Sequence, residues 1–187
     1  IKPVEGKIFL SGKDVTQKST LEMINAGVSF VPSDRIGMGT VGNMAVAENL
    51  AMKGYRNEPI SENGMLRPKK LLSFAKKLID SFKIKTPHPF THVKFLSGGN
   101  IQKTILAREI DCCSHLLIAM YPSRGLDVGA TESVRKLLID QRDEGVAVLL
   151  VSEDLDELLS IADRIAVLFS GNVMGVVESH ETDHEQL

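Results

Sequence analysis

The chain has 187 residues, 43% of them hydrophobic, and 22 lysines and arginines stand against 24 aspartates and glutamates for a net charge of −2. That length can bury one full core, as a single domain or a domain with a subdomain, and the near-neutral balance excludes the basic bias that nucleic-acid binding brings. No apolar run approaches the roughly 18 residues of a membrane-spanning helix and nothing reads as a secretion signal, so a soluble chain is expected.

In chain order, Gly6 to Asp14 alternates and ends in a turn signal, which predicts a strand entering a hairpin or loop. Residues 19–26 predict a short helix, and Val28-Ser29-Phe30-Val31 a buried strand stopped by Pro32. From Ala45 to Phe82 the spacing turns helical (Val46, Leu50, then Leu71, Ala75, Leu78, Ile79 and Phe82), interrupted by a polar loop from Asn57 to Pro68. Lys69, Lys70, Lys76 and Lys77 read as a solvated face, and His88 and His92 as polar residues of a loop. Leu116 to Met120, Val146 to Val151 and Ile165 to Phe169 are continuous apolar runs of strand length. Between them Ala130, Val134, Leu137 and Leu138, then Leu155, Leu158, Leu159 and Ala162, predict two helices, the first ending near Gly145. Alternating strands and helices with apolar strand faces predict an α/β fold whose parallel sheet is covered on both sides. Gly171-Asn172 turns into a last strand, Val173 to Val177, and a polar tail carries His180 and His184, read as a solvated terminus.

Cys112 and Cys113 are adjacent at a predicted helix end, which fits buried thiols in a reducing compartment better than a disulfide framework. With His115 they leave the usual four-ligand zinc set incomplete, and no metal site is expected. The first residue is Ile1, so a fragment of a longer protein is expected.

Chemistry concentrates between Phe95 and Gly129. Ser97-Gly98-Gly99 stands just ahead of a helical pattern in which Ile101, Ile105, Leu106 and Ile110 share a face. Helix N-termini carry unpaired N–H groups and a positive dipole end, and glycines let a phosphate come close, so an anion site is expected. After the strand at Leu116 comes Pro122-Ser123-Arg124-Gly125-Leu126-Asp127.

Together, Leu96-Ser97-Gly98-Gly99-Asn100-Ile101-Gln102-Lys103 and Pro122 to Ala130 closely resemble the signature motif, Walker B region and D-loop of ABC-type ATPases. The wording looks like the second cassette of the fused tandem ATP-binding subunits that energise simple-sugar and nucleoside importers, and the likeness runs from about Glu5 to about Val177. It implies a P-loop NTPase-like cassette with a parallel core sheet, a helical subdomain and a short antiparallel N-terminal part. By the same likeness, residues 1–43 are the N-terminal part of the ATPase core, 44–111 the helical subdomain with the signature, 112–178 the C-terminal part of the core and 179–187 a polar tail. The phosphate loop of this family is missing from the sequence, in which no Gly-x-x-x-x-Gly-Lys-Ser/Thr occurs.

The resemblance is uneven at the catalytic groups. Where the family places Asp-Glu at the end of the Walker B strand, this sequence has Met120-Tyr121. A thioether offers Mg²⁺ no hard oxygen, and a phenol with a pKa near ~10 is a poor base at neutral pH. The switch histidine is replaced by Glu153, and the glutamine that contacts metal and water by Ser33. All four departures fall on the chain's own nucleotide site, which is read as degenerate. The groups offered in trans to a second cassette are present: Ser97, Gly98, Gly99, Asn100, Gln102 and, from the D-loop, Asp127.

What this implies is an ATP-binding domain of an importer, cytoplasmic and peripheral on the inner face of the cell membrane. ATP and Mg²⁺ would sit at an interface shared with a partner cassette, and the isolated chain would neither bind ATP tightly nor hydrolyse it. The other partners implied are permease subunits and, indirectly, a solute-binding protein. The alternatives are an inert docking or regulatory cassette and, disfavoured by the charge balance, an ABC ATPase of DNA repair or translation.

Overall fold

The computed structural model describes residues 3–183. It opens with a small antiparallel hairpin, β1 (Phe9–Leu10) and β2 (Lys13–Asp14). The pairing is shorter than the alternation from Gly6 predicts, because Asp14 turns the chain by accepting from the Thr16 N–H and hydroxyl at 2.9 and 2.6 Å. Helix α1 (Thr20–Asn25) starts at Ser19 in a reciprocal cap. The Glu22 N–H donates to the Ser19 hydroxyl oxygen, and the Ser19 N–H donates to the Glu22 carboxylate.

Strand β3 (Val28–Val31) leads through Pro32 to a π-helical turn, Arg35–Gly39, capped by Asp34, and then to α2 (Val46–Ala51). Between α2 and α3 (Pro68–Ser81) the chain forms a second small hairpin, β4 (Ser61–Glu62) with β5 (Met65–Leu66). Sequence patterning reads this stretch only as a polar loop, since two-residue strands are too short to alternate. A 3-10 turn at Val93–Phe95 precedes α4 (Gly98–Asp111), and β6 (Leu116–Met120), α5 (Val128–Asp143), β7 (Ala147–Val151) and α6 (Leu155–Ile161) follow.

The core sheet is parallel in the order β3-β6-β7, with Val28 beside Leu116 and Leu116 beside Ala147. One apolar cluster runs from Val31, Leu117 and Ala119 of the sheet through Ile105 and Leu106 of α4 to Val134 and Leu138 of α5, and on to Leu50 and Leu78 of the helical region.

Two expectations are corrected. The apolar run at Ile165 does not join the parallel sheet: β8 (Arg164–Phe169) pairs antiparallel with β9 (Asn172–Glu178) across the tight turn at Ser170–Gly171, both at positive φ. A turn of that kind closes a hairpin locally, so the nearest partner wins. Nor is β7 covered on both faces, for Leu149 is 53% exposed. His180 lies in a 3-10 turn at Ser179–Glu181, beside the Glu181 carboxylate at 3.7 Å; His184 lies outside the described residues.

Candidate functional site

The four positions read as degenerate stand at or just past the carboxyl ends of three parallel strands, where α/β sheets hold their ligands. Ser33 follows β3 and is exposed; Met120 ends β6 and Tyr121 comes next; Glu153 lies just past β7. Tyr121 has a φ of +47° and donates its N–H to Val151 O at 2.8 Å. Arg124 lies 5.8 Å from the centre of the Tyr121 ring and 3.6 Å from the Glu153 carboxylate. The acid at the switch position thus lies beside an exposed guanidinium of the loop after β6. Met120 supplies no hard metal ligand and Tyr121 no base at neutral pH, and the one carboxylate, Glu153, lies beside Arg124, so these strand ends fit a Mg²⁺ ion poorly.

The signature residues form a second, separate surface. Ser97 is the N-cap of α4 and its side chain makes no cap bond; the hydroxyl oxygen instead accepts from Asn100 Nδ2 at 2.8 Å. The Ser97 carbonyl accepts from the Ile101 N–H at 2.9 Å, so the N–H groups of Gly98, Gly99 and Asn100 are the open donors of the first turn. Ser97 and Gly98 are exposed, and no acidic side chain occupies the first turn.

The start of α5 packs directly against this turn. A Cβ on Gly99 would stand 2.9 Å from the Ala130 Cβ, and one on Gly98 would stand 3.9 Å from Leu126. Only glycine permits that approach. Asp127 is exposed and caps α5, accepting the Ala130 N–H at 2.9 Å. Two helix N-termini therefore open side by side on one surface.

Not every expected side chain reaches it. Gln102 is 0% exposed and neither amide atom has a hydrogen-bond partner among the described residues, so it lies beneath the surface and not upon it. Asn100 is occupied on both sides: besides holding Ser97, its Oδ1 accepts the Lys85 N–H at 2.7 Å, tying the signature to the loop after α3. Cys112 and Cys113 are free and half-buried. Burial pushes both thiols up, and the neighbouring Asp111 carboxylate adds to this at Cys112, which disfavours the reactive thiolate. His88 accepts the Phe90 N–H and His92 stacks on Phe95, as loop residues do.

Sequence motifs overlook two features. Arg35 lies beside the signature, its Nη1 3.4 Å from where a Cβ on Gly98 would stand. Behind α4, the buried Glu109 carboxylate joins Arg108 and Lys53. Both depend on tertiary neighbours, and no spacing in the sequence announces them.

No protein-family model matches the chain. It is 41% identical over 186 residues to the guanosine import ATP-binding protein NupO of Bacillus subtilis, which covers all of this chain and 36% of that protein. To the nucleoside import ATP-binding protein NupA of Lactococcus lactis it is 43% identical over 182 residues, covering 97% of this chain and 36% of that protein. The glucose import ATP-binding protein TsgD13 of Haloferax volcanii is 41% identical over 184 residues, covering 97% of this chain and 34% of that protein. The chain thus spans about a third of the length of the curated relatives it matches. Among solved structures, a dimeric ATP-binding cassette in a post-hydrolysis state bound to ADP and Pi superposes with a TM-score of 0.76 at 19% identity, over 96% of this chain and 75% of that one. An ATP-binding cassette of an ABC transporter, MJ1267, gives 0.78 at 20% identity, over 97% and 72%. The chain is an ABC-type ATP-binding cassette in fold, and in sequence it is similar to the ATP-binding proteins of nucleoside and sugar importers.

Proposed function

We propose that the chain serves an importer of nucleosides or simple sugars by lending its signature surface to ATP held by a second cassette. The observation that carries this reading is the contrast between its two surfaces. The strand ends have lost the metal ligand, the base and the switch histidine. The N-terminal turn of α4 keeps open N–H donors and an exposed serine hydroxyl, braced by the start of α5.

Phosphoryl transfer spreads negative charge over the terminal phosphate, and preorganised donors aimed at that charge lower the barrier. Ser97, Gly98 and Gly99 would meet the phosphate, with Asn100 fixing the serine hydroxyl from behind. Asp127 would stand across the joint from the partner, and Gln102 would support the turn from below. The chain's own strand ends would contribute little turnover, so a pair built from it has one competent site and one weak one.

A groove between α1, the turn after α2 and α3 supports docking on permease subunits of the membrane. Leu21, Met52, Tyr55 and Phe74 give it an apolar floor, and Lys70 and Lys77 stand at its rim. No helix among the described residues is long and apolar enough to cross a membrane.

The test is ATP turnover of the assembled importer carrying Ser97→Arg, which fills the cradle with a long cation. Turnover is expected to fall by about a hundredfold or more, the scale on which loss of transition-state donors acts. Unchanged turnover with intact assembly would overturn the reading and leave an inert docking cassette in its place.

A further inference from the structure

Resting on that reading of the α4 cradle, we propose that Arg35 is an additional phosphate-contacting residue of the cradle, its guanidinium meeting the terminal phosphate of the nucleotide held by the partner cassette. In sequence Arg35 belongs to the loop after β3, two residues past the position read as the lost metal-sensing glutamine. In space the loop carries it to the signature.

Three features hold it there. Asp34 caps the π-helical turn, its Oδ1 accepting from the N–H groups of Ile36 and Gly37 at 3.0 and 2.8 Å. The Thr40 hydroxyl donates to the Arg35 carbonyl at 2.8 Å. Gly39 is buried so tightly on α4 that a Cβ there would stand 2.6 Å from Ile105 Cδ1. The turn is locked on the flank of the helix, and Arg35 Nη1 comes within 3.4 Å of the place a Cβ on Gly98 would take.

Arg35 differs from the other half-buried arginines in its pairing. Arg108 has the Glu109 carboxylate at 2.8 Å, and Arg135 has Glu132 and Asp154 at 3.3 and 3.6 Å. Arg35 is also half-buried, yet its guanidinium meets no carboxylate or other hydrogen-bond partner among the described residues. Burial alone lowers its affinity for the proton, with no counter-ion opposing. It stands beside the positive end of a 14-residue helix that has no acid in its first turn, so two like-signed fields converge. An arrangement of that kind is completed by an anion. The guanidinium fork suits a phosphate, whose oxygens accept two parallel N–H bonds.

The experiment compares Arg35→Ala and the more conservative Arg35→Gln with Ser97→Arg in the importer assembled with its partner cassette, measuring MgATP hydrolysis, trapping of ADP with orthovanadate, binding of ADP and thermal unfolding. Expected for both Arg35 variants is a roughly tenfold or greater fall in turnover, with loss of vanadate trapping. ADP affinity and unfolding temperature should stay unchanged, since ADP lacks the phosphate that Arg35 would meet. Wild-type turnover and trapping in the Arg35 variants, with Ser97→Arg inactive, would overturn the role of Arg35 and leave the cradle reading standing. Wild-type turnover in all three would overturn both. A fall in turnover accompanied by equal losses in ADP binding and thermal stability in both Arg35 variants would mark Arg35 as structural and overturn the proposal.

Discussion

Glu109 shows how much of this molecule hangs on one side chain. Its carboxylate is 2% exposed. One oxygen accepts from Arg108 Nε at 2.8 Å; the other accepts from Lys53 Nζ and from the Phe30 N–H at 3.1 Å. The Ser29 hydroxyl donates to the Glu109 carbonyl at 2.7 Å and itself accepts from Lys53 at 3.2 Å. This cluster ties the C-terminal half of the signature helix to β3 and to the turn after α2. Removing the acid would strand two cations and an amide in a region with little water. Glu109→Ala is therefore expected to cost about 3 kcal/mol, read as a lowered midpoint in urea at unchanged slope. A change under half that size would mean that water replaces the carboxylate.

Among elements, the contact between α4 and α5 is the one that builds the candidate site. The 2.9 Å approach at Gly99 leaves no room for a side chain, because the neighbour is the short, stiff Ala130 methyl. Gly99→Val is expected to cost about 1–3 kcal/mol by overpacking and to part the two helix starts. Gly129, two residues into α5, is the control. A Cβ there would meet only Asp127 Oδ1, at an ordinary 3.5 Å, so Gly129→Ala should be neutral or stabilising by up to about 1 kcal/mol. Chemical unfolding of both variants tests the pair, and equal midpoints would refute the close-approach argument.

For the whole molecule, the two candidate surfaces differ in the chemistry they offer. The strand ends offer a thioether, a phenol and a carboxylate already beside Arg124. The purified chain given MgATP is accordingly expected to release phosphate no faster than a buffer blank. Turnover that copurified with the chain and vanished on Tyr121→Phe would contradict this. The molecule also leaves apolar surface uncovered along its last strands, where Phe169 is 69% and Val173 63% exposed. Exposed apolar strands of this length favour contact with further polypeptide over water.

How much could be read in advance follows from what each feature depends on. The signature glycines, the replaced strand-end residues and the helical spacing are local patterns, and the sequence alone was enough to predict an α/β cassette. Strand partnership was not local: an apolar run at Ile165 says that side chains avoid water, but not whether the neighbour is β7 or the hairpin strand that follows. The burial of Gln102, the closure of Glu109 on Lys53 and the arrival of Arg35 at Gly98 were decided by tertiary structure alone, because each joins residues that only packing brings together. Short-range chemistry is written in the order of residues, whereas the pairing of charges and strands is settled by which surfaces the whole chain brings into contact.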